Sequence, residues 1–428
     1  MSDRCPRLAR ASVLLVVLVL AACTATTPTP SLSSASISPS ALATSSTLAP
    51  TPPAIVASPP KTTPLGSTAN PTSTPIHPGP SPISGPAGPD GWTLVTSSGG
   101  YFGAAWAPDG AHFFNGQEPT PIEVRNASGS LLTSYAQFDR AYWLDPSHLL
   151  GYRDTVGDPE TAVASIADLK GSVVAAPEAL NTTDGDGLPN GFGAVAVARK
   201  DASASVATYT FSVWSSGGVS APHDGYPMAW SADGTKLAVV HFIKWGMKDF
   251  SGSLEVVSWP GLDRLYAGPR ASFDEYSIEF DPSDQFVSLA DYSNDSRSLD
   301  SSTRVVSIGS GATADIPCTI PCTTFWNDHQ QLSFDTRGQL ETYDTLGKLV
   351  DERLVGGFLA NASPDGSTVA FISDSIGSIV IERNGSVISQ SQFGAGGISQ
   401  PWFSPDGRSL LLYAYLPDGS TGLFLKRL

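Results

Sequence analysis

Two cysteines in the C-terminal part of the chain are the first residues that could do chemistry. Cys318 and Cys322 lie in the pattern Cys-Thr-Ile-Pro-Cys. Two thiolates could hold a metal ion, but a structural metal site needs four ligands, and the only nearby candidate is His329. Two cysteines this close in an exported protein are instead typical of a disulfide. The spacing therefore predicts a Cys318–Cys322 disulfide in a chain whose N-terminus indicates export.

An acidic segment from Thr182 to Asn190 is the second candidate site. It resembles the Asp-rich calcium loops of exported repeat proteins. The oxygen ligands of such a loop would be Asp184, Asp186, the carbonyl of Leu188 and Asn190. However, Thr182 stands where an acidic residue would open the loop, and no Glu closes it. A plain acidic turn is therefore the first expectation, with calcium as the alternative, and no other cofactor is predicted.

The remaining reactive residue types form no recognisable motif. The six histidines show neither His-x-x-x-His nor His-Glu spacing. There is no Gly-x-Ser-x-Gly elbow and no phosphate-binding loop. The sequence therefore predicts no catalytic residue.

The N-terminus is typical of an export signal. Arg4, Arg7 and Arg10 precede the apolar run Ala11–Leu20, which is about half the length that spans a bilayer. The next residues, Leu20-Ala21-Ala22-Cys23, resemble the bacterial lipobox. This resemblance implies diacylglyceryl transfer to the thiol of Cys23 and cleavage before it. We therefore expect residues 1–22 to be a lipoprotein signal peptide, and Cys23 to anchor the chain to a membrane outside the cytoplasm.

Residues 23–88 are expected to form a disordered tether. They are almost entirely Pro, Thr, Ser, Ala and Gly, with Lys61 as the only formally charged side chain. Such a segment has too little apolar surface to offset its chain entropy. Removal of the signal peptide takes away three Arg and one Asp, which changes the net charge from −16 to −18. An acidic surface of this kind repels phosphate backbones, so nucleic acid is not an expected partner.

From residue 89 onwards one pattern recurs: an apolar strand, a turn of the Ser-Pro-Asp-Gly type and a second apolar strand. The clearest copies of the turn are Trp106–Gly110, Trp230–Gly234, Ala362–Gly366 and Phe403–Gly407. Weaker copies are Leu144–Ser147, Ala198–Asp201, Phe280–Ser283 and Trp326–His329. The mean spacing of about 42 residues is typical of propeller blades. Short hairpin signals about halfway between these turns add a third and a fourth strand to each repeat.

These repeats predict an all-β domain over residues 89–428, a single β-propeller of four-stranded blades. Eight blades are expected, with seven as the alternative because the repeat near residues 191–225 is short. Only two strands follow the turn at Asp406-Gly407, so the segment Trp92–Thr96 is expected to complete the last blade and close the ring. The turns resemble TolB-type repeats, which are relatives of the WD-type repeat. This resemblance implies a fold and no single activity, because such propellers are binding platforms, enzyme accessory domains or enzymes.

Loop lengths distinguish the two sides of the expected ring. The longer segments all connect the second strand to the third or one blade to the next: Arg153–Glu160, Asn181–Gly191, His241–Ser253, Asp291–Thr303 and Pro317–Thr323. Long loops on one rim of a rigid scaffold are where binding usually occurs. The segment after His241 joins aromatic residues to lysines in an acidic chain, a combination common in interfaces. The predicted binding residues are His241, Lys244, Trp245, Lys248, Phe250, Tyr292 and Arg297.

Two functional hypotheses follow. The first is a monomeric, membrane-anchored binding protein that recognises a protein or an envelope glycan through the side with the long loops. The alternative is a hydrolase or lyase acting on carbohydrate or peptide, with carboxylates that meet at the mouth of the central pore. The lack of a catalytic motif favours the binding protein.

Overall fold

The structure is a computed structural model of the 428-residue chain. It describes residues 87–98, 103–116, 120–155, 158–182, 187–201, 208–244, 251–272, 278–292, 301–318, 324–327, 331–335, 339–355, 357–372, 377–393, 397–398, 401–416 and 419–428. The chain divides into two compact units, Met1–Pro78 and Gly79–Leu428. The expected signal peptide, Cys23 and nearly all of the expected tether lie outside the described residues. Within the described part of the chain, no helix is long and apolar enough to cross a membrane.

The described part of Gly79–Leu428 contains eight antiparallel sheets, numbered here in chain order. Two 3₁₀ helices, Pro89–Gly91 and Glu178–Leu180, are also present. The first strand, β1 (Thr93–Ser98), pairs in the last sheet, sheet 8. Sheet 1 consists of β2 (Ala104–Trp106), β3 (His112–Asn115), β4 (Ile122–Asn126) and β5 (Leu131–Tyr135). Sheet 2 consists of β6 (Arg140–Asp145), β7 (His148–Thr155), β8 (Asp158–Asp168) and β9 (Val173–Ala175). Sheet 3 consists of β10 (Leu188–Pro189), β11 (Val195–Asp201), β12 (Thr208–Ser215), β13 (Gly218–Val219) and β14 (His223–Asp224).

The other five sheets follow the same order. Sheet 4 consists of β15 (Tyr226–Trp230), β16 (Lys236–Lys244), β17 (Ser251–Ser258) and β18 (Arg264–Ser272). Sheet 5 consists of β19 (Glu279–Phe280), β20 (Phe286–Tyr292), β21 (Ser301–Ser307) and β22 (Thr313–Cys318). Sheet 6 consists of β23 (Thr324–Trp326), β24 (Leu332–Asp335), β25 (Gln339–Tyr343) and β26 (Leu349–Leu354). Sheet 7 consists of β27 (Phe358–Ala362), β28 (Thr368–Ile372), β29 (Ser378–Arg383) and β30 (Ser386–Gln392). Sheet 8 consists of β31 (Trp402–Phe403), β32 (Ser409–Tyr415), β33 (Thr421–Arg427) and the first strand of the chain, β1.

The hydrophobic core is divided among the junctions between neighbouring sheets. In β16, Leu237 and Val239 pack towards sheet 3 and Ala238 and Val240 towards sheet 5. This strand is a continuous apolar run because both faces of its sheet are buried. Within the described residues, each of the eight junctions has its own buried cluster, and the cluster between sheet 8 and sheet 1 closes the ring. The predicted all-β fold, a single β-propeller, is confirmed. Seven of the described sheets have the expected four strands, and sheet 3 has five.

Indole hydrogen bonds connect the first strands of neighbouring sheets. Nε1 of Trp106 donates to the carbonyl of Trp402 over 3.1 Å, and Nε1 of Trp143 donates to the carbonyl of Ala105 over 3.0 Å. Nε1 of Trp230 donates in the same way to the carbonyl of Leu188 over 2.8 Å. The first strands pack against one another and therefore form the inner wall of the ring. The aromatic residue that precedes each of these turns thus joins one blade to the previous one.

The ring is closed by the N-terminal strand, as expected. Thr93 pairs with Leu425 and Ser98 with Thr421, so β1 is the fourth strand of sheet 8. Trp92, just before β1, is buried, and its Nε1 donates to Oγ of Ser391 in sheet 7 over 3.0 Å. This indole anchors the N-terminal strand to two sheets at once.

One of the expected turns is misplaced. Ala198–Asp201 lies within β11, where Ala198 pairs with Phe211, so the weakest copy of the turn is wrong. The turn between the first two strands of sheet 3 follows Pro189 instead. Oδ1 of Asn190 accepts the N–H groups of Phe192 and Ala194 over 2.8 and 3.0 Å. Asn190 therefore takes the role that Asp has in other turns, since an amide oxygen accepts these bonds equally well.

Candidate binding face

The direction of the strands gives the ring two chemically different sides. The turn side carries the turns from first to second strand and from third to fourth strand in each sheet. The loop side carries the connections from second to third strand and from one sheet to the next. Ser409 follows the last Asp-Gly turn and pairs with Arg427, so β33 ends and β1 begins on the turn side. The chain therefore enters the ring on the turn side.

The turn side is built from side chains that hydrogen-bond to their own turns. Oγ of Ser231 donates to Oδ1 of Asp233 over 2.7 Å and accepts the N–H of Lys236 over 2.9 Å. The same arrangement recurs around Ser363 and Ser404. Burial acts to raise the pKa of Asp233, but hydrogen bonds from Thr235 and Ser231 hold it well below its usual range. The carboxylates of these turns are thus used to shape the turns.

On the loop side, an aromatic cluster lies where sheets 3 and 4 meet. The rings of Tyr209, at the start of β12, and Tyr226, at the start of β15, are 5.1 Å apart. Phe242, near the end of β16, is 6.0 Å from Tyr209 and 5.8 Å from Tyr226. These strand ends all point to the loop side. We call Tyr209, Tyr226 and Phe242 the rim cluster.

A buried carboxylate contacts His241, the residue that precedes Phe242 in β16. Glu255, in the middle of β17, is 1% exposed, and its Oε2 is 2.6 Å from Nε2 of His241. Its Oε1 accepts a hydrogen bond from Nε of Arg264, whose side chain is 65% exposed. Burial acts to raise the pKa of Glu255, but the hydrogen bonds and charges of Arg264 and His241 bring it below its usual value. Glu255 is therefore an ionised group that holds two basic side chains.

The structure describes only some of the predicted binding residues. His241 lies in the part of β16 nearer the loop side, and Lys244 and Tyr292 end β16 and β20 on that side. Trp245, Lys248, Phe250 and Arg297 lie outside the described residues, so their role stays a prediction. Sequence analysis did not identify Glu255 or Tyr209. A single carboxylate in the apolar run Leu254–Val257 was a signal for Glu255, because a charge inside such a strand needs a partner.

One of the expected long loops is mostly strand. β7 continues to Thr155 and β8 begins at Asp158, so the prediction of a long loop at Arg153–Glu160 is wrong. β8 is 11 residues long, whereas β3 in sheet 1 has only 4. The rim at sheet 2 is thus built by an extended hairpin, and on this side Nη2 of Arg140 is 2.7 Å from Oδ1 of Asp154.

The predicted calcium and disulfide sites are only partly described. The carbonyl of Leu188 accepts the indole N–H of Trp230, and Oδ1 of Asn190 accepts two backbone N–H groups, so the propeller already uses two of the four expected calcium ligands. Asp184 and Asp186 lie outside the described residues. Cys318 ends β22, and Cys322 also lies outside them. Among the residues that the structure describes, no group of three or more His, Cys, Asp or Glu could hold a metal ion.

The enzyme hypothesis requires carboxylates that converge at the pore. The described first strands contain two carboxylates, Asp145 in sheet 2 and Glu279 in sheet 5, and these sheets are not neighbours. Oδ1 of Asp145 accepts both the N–H and the Oγ hydrogen of Ser147 over 2.8 and 2.9 Å. Asp145 thus stabilises its own turn, and the described inner wall gives this hypothesis no support.

No family model and no curated protein matches the sequence. Solved structures share the fold at low identity. The crystal structure of a eukaryotic initiation factor is 15% identical with a TM-score of 0.50, over 81% of this chain and 88% of that chain. BamB from Moraxella catarrhalis is 14% identical with a TM-score of 0.46, over 78% and 97%. The C-terminal WD40 domain of Sif2 is 11% identical with a TM-score of 0.47, over 78% and 97%. At such identities the likeness concerns the fold alone.

Proposed function

We propose that this protein is a membrane-anchored, extracytoplasmic lipoprotein whose propeller binds a protein partner through its loop side. The anchor is the lipidated Cys23 that the N-terminal pattern predicts, and residues 23–88 are the tether. Binding is favoured over catalysis because the sequence has no catalytic motif and the described inner wall has no converging pair of carboxylates.

The observation that carries this proposal is the side on which the chain enters the ring. β1 begins on the turn side, where Lys426 of β33 donates from Nζ to the carbonyl of Asp90. The turn side is also occupied by short turns that satisfy their own polar groups. The described part of the chain therefore enters the ring on the side opposite to the loop side.

The chemistry of the loop side suits a protein partner. The rim cluster supplies three aromatic rings, and Glu255 holds His241, which precedes Phe242 in β16. Large, rigid aromatic side chains next to positioned polar groups are typical of energetically important regions of protein interfaces. The sequence that follows Lys244 adds Trp245 and Phe250 to the same connection.

Capture from detergent-solubilised envelope tests the proposal. The affinity-tagged full chain is the bait, and the double variant Trp245→Ala/Phe250→Ala is compared with it. Phe192→Ala is the matched control, because Phe192 is an exposed aromatic residue in a turn on the opposite side. We expect one set of proteins to be captured by the native chain and by Phe192→Ala and to be lost with the double variant.

Three outcomes would argue against this function. Loss of capture with Phe192→Ala as well would place the contact elsewhere. A fall in the melting temperature of the double variant would mean that Trp245 and Phe250 belong to the core. Elution of the captured material by free sugars would indicate a glycan in place of a protein.

A further inference from the structure

The pair formed by His241 and Glu255 restricts the chemistry that His241 can offer. Both oxygens of Glu255 are engaged, Oε2 by Nε2 of His241 at 2.6 Å and Oε1 by Nε of Arg264. An ionised carboxylate can only accept hydrogen bonds. The hydrogen between Glu255 and His241 must therefore be on Nε2, and this holds whether the imidazole is neutral or protonated.

A neutral imidazole with its hydrogen on Nε2 has a lone pair on Nδ1. No described residue forms a hydrogen bond with Nδ1 of His241, and the side chain of His241 is 32% exposed. Among the described residues, Nδ1 is therefore available to an incoming group.

The backbone next to His241 leaves room for this arrangement. Gly225 is the single residue between β14 and β15, and its φ is 111°. A Cβ at this position would lie 3.3 Å from Cε1 of His241 and 2.4 Å from Cγ1 of Val239. The close approach of this glycine lets the imidazole pack against the connection between sheets 3 and 4. His241 lies in the half of β16 nearer the loop side and precedes Phe242 of the rim cluster.

We infer that the neutral form of His241 presents Nδ1 as a hydrogen-bond acceptor on the loop side, and that Glu255 is the positioning residue that selects this tautomer. A third part of the inference is that the partner offers a hydrogen-bond donor to Nδ1. The last part rests on the proposed function, whereas the first two parts do not. The donor is a hydroxyl, amide or ammonium group. In recognition, an acceptor fixed in this way selects strongly, because a partner without a donor leaves it unpaired in a desolvated interface.

Nitrogen NMR of the full chain, labelled with ¹⁵N in its imidazoles, tests the first two parts. Loss of one signal set in His241→Asn assigns His241 among the six histidines. At an alkaline pH, where the imidazole is neutral, we expect a protonated Nε2 and an unprotonated Nδ1 in the native chain. In Glu255→Gln the amide can donate as well as accept, so we expect a mixture of both tautomers. A protonated Nδ1 in the native chain, or an unchanged tautomer in Glu255→Gln, would overturn the inference.

Two substitutions of His241 test the third part in the capture experiment. His241→Gln retains a group that can donate to Glu255 but loses the acceptor, whereas His241→Asn places an amide oxygen near the position of Nδ1. We expect the native partner to bind about tenfold more weakly to His241→Gln and within about threefold of normal to His241→Asn. Equal effects of the two substitutions would overturn the third part. Failure of the native chain to capture any protein would remove the third part together with the proposed function, and the NMR result would still judge the tautomer.

Discussion

Asp284, in the first turn of sheet 5, accepts a hydrogen bond through Oδ1 from the backbone N–H of Ala232, in the first turn of sheet 4, over 2.9 Å. Its Oδ2 is 3.3 Å from the backbone nitrogen of Asp233. Asp284 has a φ of 57°, in the place where the turn of sheet 4 has Gly234 with a φ of 69°. At this one turn, the glycine of the repeat is replaced by a residue that joins two sheets. The side chain of Asp284 also meets that of Asp233, so the two carboxyl groups interact.

We expect Asp284 to make the stability of the propeller depend on pH. Burial, together with the neighbouring charge of Asp233, raises the pKa of Asp284 above its ordinary value. A carboxyl group whose pKa is raised by folding stabilises the fold fully below its unfolded pKa. That contribution to stability is lost as the pH rises through the pKa that the group has in the folded state. The free energy of unfolding of Asp284→Asn, which cannot ionise, should therefore rise relative to that of the native chain between about pH 4 and pH 7.

Urea unfolding followed by tryptophan fluorescence at the two pH values measures this difference. Asp109→Asn is the matched control, because among the described residues Oδ1 of Asp109 accepts only the N–H of Ala111, in its own turn. An equal difference between Asp284→Asn and the native chain at both pH values would contradict the prediction.

The turns show which parts of the fold local sequence predicts. Asp and Gly close a turn through their own backbone and side-chain preferences, so Asp233-Gly234 and Asp406-Gly407 could be located without knowledge of the rest of the chain. Asn190 was missed because a pattern that requires Asp at the repeat spacing selects Asp201 instead. The contact between Asp284 and Ala232 could not be predicted, since it depends on how two turns 52 residues apart approach each other.

A glycine substitution distinguishes backbone conformation from close packing. Gly366 has a φ of +64°, and a Cβ there would lie 2.2 Å from Cα of Asn327 in the turn of sheet 6. Gly385 has a φ of +74°, but a Cβ there would have no neighbour within 4 Å. We expect Gly385→Ala to lower the free energy of unfolding by about 1–2 kcal/mol, the cost of a left-handed backbone. Gly366→Ala should lower the free energy of unfolding by clearly more, because the backbones at Gly366 and Asn327 must also move apart. Equal losses in urea unfolding would show that the turns of sheets 6 and 7 are not in contact.

The indole hydrogen bonds between first strands predict a stability difference between two tryptophans. Trp143→Phe removes the donor to the carbonyl of the half-buried Ala105. We therefore expect it to lower the free energy of unfolding by about 0.5–1.5 kcal/mol beyond the loss of size. Trp214→Phe is the control, since Trp214 donates no side-chain hydrogen bond within the described residues and is only partly buried. Chemical unfolding of both variants checks the difference. A loss with Trp214→Phe as large as that with Trp143→Phe would mean that packing alone accounts for the effect.

The candidate site was harder to predict than the fold. Sequence analysis placed His241 on the loop side because the repeat gives the order of the strands. The strand order in turn decides on which side each connection lies. It did not pair His241 with Glu255, because that contact requires the register between β16 and β17, where His241 pairs with Ser253 and Val239 with Glu255. The rim cluster also needs Tyr209 from sheet 3 next to Tyr226 and Phe242 from sheet 4. Contacts between repeats depend on packing, which a pattern within each repeat does not encode.

The N-terminal closure predicts that Trp92 is important for stability although it lies outside the strands. Its ring packs 5.4 Å from Phe393, and Nζ of Lys426 lies 5.6 Å from the centre of the indole. We expect Trp92→Ala to lower the free energy of unfolding by about 3–5 kcal/mol, the usual cost of removing a buried tryptophan. Ser391→Ala removes only the hydrogen-bond partner of Nε1 of Trp92. It should lower the free energy of unfolding by about 1 kcal/mol. The comparison separates packing from hydrogen bonding at the closure. Native-like urea unfolding of Trp92→Ala would mean that the ring does not depend on this residue, and β1 would then contribute through its pairing with β33 alone.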